Sequence, residues 1–217
     1  MALIWILIGA TFDFFDGMSA RLLKVSSPIG KELDSLADVV TFGVAPSTMI
    51  YYTLSVIDYP SFLQSPPQYS FDVYRTVIPY LAFLMAAFSA LRLAKFNIDT
   101  RQTDSFIGLP TPANALFWGA LILTNPYWIE NNSWSLFCIL ALMLTSCYLL
   151  VCELPMFALK FKHWTWKGNT IRYCFMILTI VVLCLFGVLK GWWIVIACYF
   201  LISLYLYITG KSKRISK

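Results

Sequence analysis

Apolar residues gather into seven long runs, Met1–Ala20, Leu36–Ile57, Thr76–Phe96, Leu109–Thr124, Trp134–Cys152, Ile171–Leu189 and Trp192–Thr209, with short polar links between them. Runs of this length match the roughly 30 Å hydrocarbon core of a bilayer, where helices satisfy every backbone N–H and C=O internally. The chain is therefore expected to fold as an all-α, polytopic transmembrane helix bundle of about seven spans. Composition excludes an ordinary soluble domain: 59% of the 217 residues are hydrophobic, 12% are charged and the mean hydropathy is +0.73, against about 25% charged in soluble domains.

The basic residues orient the bundle, because Lys and Arg flanking spans stay on the cytoplasmic side. Arg21, Lys24 and Lys31 follow the first run; Arg92, Lys95 and Arg101 the third; Lys160, Lys162, Lys167 and Arg172 the fifth; Lys211, Lys213, Arg214 and Lys217 form the tail. Arg75 and Lys190 fall on the other side. The net charge of +5 is thus a topology signal, attracting anionic lipid and implying no nucleic acid partner. Seven spans with a cytoplasmic tail put Met1 outside, so one further helix is expected upstream of it. No repeat, low-complexity tract or second domain interrupts residues 1–217, and the longest polar stretch, Asp58–Arg75, reads as an external loop.

Four aspartates break the apolar pattern at its start. Asp13 and Asp16 share one helix face, with Gly17 and Ala20 leaving space beside them, and Asp34 and Asp38 share a face of the next helix. Each acid at bilayer depth costs roughly 2.5–3.5 kcal/mol on insertion scales, so the group needs bound cations or paired bases. Three uses fit these residues. Carboxylates holding two divalent ions suit displacement at phosphorus, with Arg21 as a phosphate fork; a buried acidic cluster also serves cation or proton translocation; and Arg21, Lys24 and Lys31 can neutralise it structurally.

The spacing Asp-x-x-Asp-Gly-x-x-Ala-Arg, eight residues, Gly-x-x-x-Asp-x-x-x-Asp, filled here by Asp13, Asp16, Gly17, Ala20, Arg21, Gly30, Asp34 and Asp38, resembles the signature of the CDP-alcohol phosphatidyltransferase family. The stretches SSPIGKELDSLADVVTFGVAPS, ALRLAKFN and FIGLPTPANA are similar to the branch of that family whose acceptor is serine. The resemblance covers roughly the first 116 residues. It implies a homodimeric integral membrane enzyme with its active site facing the cytoplasm, taking CDP-diacylglycerol and L-serine to phosphatidylserine and CMP. It also implies that Asp13, Asp16, Gly17, Ala20, Arg21 and Gly30 hold the CDP-lipid. Asp13, Asp16, Asp34 and Asp38 would ligate two ions, Mg or Mn, and Asp38 would be the catalytic base. The alternatives are a sibling with glycerol phosphate or inositol phosphate as acceptor and, from another class, a cation or proton transporter.

Outside the signature, Arg92 and Lys95 are candidates for contacts to the acceptor or phosphate, and equally for cytoplasmic anchors. Gly43 and Pro46 are expected to bend the second helix, and GLPTPANA, with Pro110, Pro112 and Asn114, to begin a span near the same cytoplasmic face, as a candidate to close the acceptor pocket or as no more than an irregular helix start. His163, among Trp164, Trp166 and nearby lysines, reads as part of an interfacial belt. The six cysteines, in apolar segments without paired spacing, read as small packing residues.

Overall fold

In the computed structural model, which describes residues 2–24, 27–64, 72–98, 106–132, 134–157, 166 and 169–209, the first run is helix α1, Ala2–Leu23. Leu3 and Ile6 turn inward, while Trp5, Phe12, Phe14 and Leu22 point away from the protein. Outward aromatics of this kind meet lipid rather than water in a membrane. The next helix, α2, spans Pro28–Asp38 and starts earlier than its hydropathy suggests. Proline is tolerated at the first helical position, where its missing N–H has no partner to lose.

From Asp38 the backbone continues as a π-helical turn, Val39–Val44, and then as α3, Ala45–Val56. The irregularity expected at Gly43 and Pro46 takes this form. Pro46 cannot donate to the carbonyl four residues back, and the widened turn just before it accommodates the ring. The third run behaves likewise: α4, Val73–Val77, passes through a 3-10 turn at Ile78–Ala82 containing Pro79 into α5, Phe83–Ile98.

Helix α6, Thr111–Thr124, follows Pro110, and a short α7, Pro126–Glu130, leads to α8, Ser135–Val151. The two remaining helices are α9, Thr170–Phe186, and α10, Trp192–Ile208. Two-residue strands β1, Phe106–Ile107, and β2, Pro155–Met156, pair antiparallel. Beside them Gly108 takes φ 74°, where a Cβ would lie 2.8 Å from the Leu150 carbonyl oxygen, so only glycine fits. Its N–H donates to Leu154 O at 2.9 Å and that of Leu109 to Leu149 O at 2.8 Å. These bonds fasten the start of α6 to the end of α8.

α6 runs through the middle of the bundle. Trp118, fully buried, packs with Ile50, Leu54, Met85, Leu136 and Met143, and its Nε1 donates to Ser146 Oγ on α8 at 3.1 Å. On the other side Leu109 joins Phe157, Phe175, Val195 and Tyr199 in a second core, where the Tyr199 hydroxyl donates to Phe157 O at 2.9 Å. Lipid tails are as apolar as leucine, so close approach and polar bonds hold such helices together. Gly43 supplies one approach: a Cβ there would sit 3.1 Å from that of Ser89 on α5.

The chain is an integral membrane protein. By length and composition Ala2–Ala20, Pro28–Val56 and Val73–Ile98 can each cross a bilayer, and Ser135–Val151, Thr170–Phe186 and Trp192–Ile208 are shorter apolar helices. All six thiols are free; Cys147 is buried in the core as expected, whereas Cys138, Cys174 and Cys184 are exposed. His163, Trp164, Lys160, Lys162, Lys167, Arg101 and the basic tail lie outside the described residues.

Candidate active site

The ends of α1 and α2 bring the acidic residues together. One carboxylate oxygen each from Asp13, Asp16 and Asp34 lies within 4.8 Å of the other two. Asp38, one turn beyond Asp34 and half-buried, reaches the Asp13 side chain. It lies within electrostatic range of Asp34, Asp16 and the Arg92 guanidinium.

Oxygen-only ligands from carboxylates suit a hard divalent cation. Two oxygens on opposite sides of one octahedral Mg stand about 4.2 Å apart, so small side-chain movements bring the trio into its coordination range. The donor set therefore fits a hard divalent cation.

Local sequence fixes α2 in place. Ser27 caps the helix, its Oγ accepting the Gly30 N–H at 2.9 Å. A Cβ on Gly30 would lie 2.9 Å from that same oxygen, closer than a carbon and an oxygen tolerate. The glycine of the signature is thus explained by the cap. Lys31 Nζ donates to Asn97 O at 3.1 Å, and Asn97 Nδ2 donates to Ser35 Oγ at 2.9 Å. One face of α2 is tied to the end of α5 while another carries Asp34 and Asp38 toward α1.

Gly17 behaves differently. Among the described residues, a Cβ built there meets no atom within 4 Å, so none of them requires glycine at this point. Together with exposed Ala20, it leaves open space next to the carboxylates. The side chain of Arg21 lies outside the described residues.

Arg92 and Lys95, adjacent on paper, have separate surroundings. Arg92 is 7% exposed, its Cζ is 6.0 Å from the Phe96 ring centroid, and its Nε has no hydrogen-bond partner among the described residues; Lys95 is exposed. Three more buried residues share this condition: Ser89 Oγ, Thr111 Oγ1 and Asn114 Oδ1 also lack partners among the described residues. Asn114 is the residue of GLPTPANA already a candidate to close the acceptor pocket; for Ser89 and Thr111, which the sequence did not single out, the only signal was their place within or beside ALRLAKFN and GLPTPANA.

The CDP-alcohol phosphatidyltransferase family model matches residues 1–151. The chain belongs to that family. It is 41% identical over 115 residues to the CDP-diacylglycerol–serine O-phosphatidyltransferase of Bacillus subtilis, covering 51% of this chain and 54% of that protein. To the Helicobacter pylori protein of the same name it is 38% identical over 138 residues, 61% of this chain and 52% of the other. An archaetidylserine synthase from Methanothermobacter thermautotrophicus is 30% identical over 148 residues, 67% of this chain and 56% of the other. The chain thus spans about half the length of the curated relatives it matches.

For a CDP-alcohol phosphatidyltransferase, the position of the match is informative. It contains both acidic pairs, Arg92 and the start of α6, and it ends with α8. α9 and α10 lie beyond it, yet α10 brings Tyr199 within electrostatic range of Arg92.

Proposed function

We propose that the chain transfers the phosphatidyl group of CDP-diacylglycerol to the hydroxyl of L-serine, giving phosphatidylserine and CMP, as a homodimer with its active site on the cytoplasmic side. The observation that carries this reading is the convergence of Asp13, Asp16 and Asp34 within 4.8 Å beside the open space at Gly17. Donor and acceptor come from the names of the relatives. The many basic residues at the same ends of the helices support the orientation.

In this reading Asp13, Asp16, Asp34 and Asp38 hold two divalent ions, Mg or Mn, which when bound neutralise the diphosphate and the charge on the departing phosphate. Gly17 and Ala20 let the nucleotide and its diphosphate lie against α1, and Arg21 pairs with phosphate. Asp38 takes the proton from the serine hydroxyl as its oxygen forms a bond to phosphorus. The bond from that phosphorus to the CMP oxygen breaks, and CMP carries the electron pair away.

Purified protein in detergent with CDP-diacylglycerol and Mn or Mg tests the reading. CMP release with L-serine, abolished by chelation and not matched by glycerol phosphate or inositol phosphate, supports it. Release with one of those phosphates instead reassigns the acceptor. Cation flux in liposomes without any CMP release rejects the enzyme in favour of a transporter.

A further inference from the structure

Four polar side chains on α5 and α6 are nine-tenths or more buried and each leaves a polar atom unpaired among the described residues: Ser89, Arg92, Thr111 and Asn114. A buried polar atom without a partner costs about 1–3 kcal/mol by mutational measures, so four such atoms on two helices in contact call for a shared explanation.

Their placement joins them. Met85, Ser89 and Arg92 succeed one another at helical spacing along one face of α5, and Thr111 and Asn114 do so on the first turn of α6. Asn114 Nδ2 points at Met85 Sδ, 3.2 Å away. That contact fixes the amide: turned over, its oxygen would face the sulfur's lone pairs, so Oδ1 is the free atom. Ser89 faces the π turn at Gly43. Arg92, at the far end of the row, lies within electrostatic range of both Asp38 and Tyr199.

The free groups have a definite chemical character. One guanidinium N–H donates, one amide oxygen accepts, and two hydroxyls do either. A small amino acid presents the complement, with a carboxylate for the guanidinium, an ammonium for the amide oxygen and a hydroxyl beside Asp38. A phosphorylated polyol, with two negative charges and no ammonium, would leave Asn114 Oδ1 facing phosphate.

Resting on the acceptor reading given above, we propose that Ser89, Thr111 and Asn114 join Arg92 as the binding pocket of a zwitterionic amino acid and set the selection of serine. Asn114 recognises the ammonium, Arg92 the carboxylate, and the two hydroxyls complete the polar wall.

Kinetics of CMP release by the full chain test this. Removing a group that pairs a buried polar atom of the substrate raises KM by about tenfold or more. Thr111→Val and Asn114→Leu should each raise the serine KM to that extent while the CDP-diacylglycerol KM stays put, and Thr111→Ser should restore the wild-type value. Asn114→Leu should also narrow the gap between serine and ethanolamine or glycerol as acceptors. As a check independent of turnover, L-serine should protect wild-type protein against thermal unfolding and should not protect Asn114→Leu. Unchanged serine KM in folded Thr111→Val and Asn114→Leu overturns the pocket and leaves the enzyme reading standing. Wild-type protein that releases CMP with no amino acid overturns both.

Discussion

Asn97, in the last turn of α5, donates from Nδ2 to Ser35 Oγ on α2 at 2.9 Å. Ser35 is the neighbour of Asp34, so a bond between two neutral side chains sets the position of an acidic one. Its loss should weaken cation binding without touching any cation ligand. Groups that orient metal ligands from behind are worth roughly 10–100-fold in affinity or activity. Asn97→Ala is expected to raise the Mn concentration needed for half-maximal CMP release by about tenfold, with maximal rate at saturating Mn recovering. A Mn titration of CMP release measures this.

Asp38 stands apart from the trio whose oxygens meet within 4.8 Å, yet it reaches Asp13 and lies within electrostatic range of Arg92. A group so placed suits proton removal from an acceptor arriving along α5. Asp38→Asn keeps the shape and removes the base, so the rate should fall by a factor of roughly 100 to 10,000. Substituting Asp13, Asp16 or Asp34 with Asn should instead weaken cation binding first. Rates at saturating Mn separate the two roles: added ion restores the ligand variants toward the wild-type rate, whereas Asp38→Asn, which loses a ligand and the base together, keeps a loss that no ion concentration restores.

Gly30 belongs to the signature, and its geometry points to the helix cap. A methyl group there collides with Ser27 Oγ at 2.9 Å, and an N-cap is worth about 1 kcal/mol. Gly30→Ala should therefore lower thermal stability by about that amount in wild type and by much less in a Ser27→Ala background, where the oxygen is gone. Such coupling is what residues in contact display. If activity in the double variant remains as low as in Gly30→Ala while stability recovers, the glycine serves the lipid substrate instead.

How much of this was legible in the sequence depended on the range of the interaction. Helices α8 and α10 lie within a residue or two of the apolar runs Trp134–Cys152 and Trp192–Thr209, because hydropathy is a local property. α2 escaped the same measure: Glu32, Asp34 and Asp38 interrupt its apolar residues, and only spacing betrayed the helix. The convergence of two acidic pairs could be expected from a hairpin. The pairing of Phe106–Ile107 with Pro155–Met156 and the contact of Asn114 with Met85 could not, since both depend on how distant segments dock. Arg92 and Lys95 make the point within a single helix: their three-residue spacing suggested a pair, and packing buried Arg92 while leaving Lys95 exposed.

The sharpest test of the nucleotide site is a substitution the protein itself should welcome. Gly17 lies in the interior of α1, where glycine costs roughly 0.5–1 kcal/mol relative to alanine, and a Cβ there would meet nothing within 4 Å. For the fold alone, Gly17→Ala is therefore neutral or stabilising by up to about 1 kcal/mol. If the space beside Asp13 and Asp16 receives the nucleotide and diphosphate of CDP-diacylglycerol, the added methyl group intrudes on the ligand, and a misfit of that size is worth about 10-fold or more in discrimination. The expected outcome is an unchanged or raised melting temperature together with a CDP-diacylglycerol KM raised by about tenfold and an unaltered serine KM. A CDP-diacylglycerol KM equal to that of wild type would place the donor elsewhere.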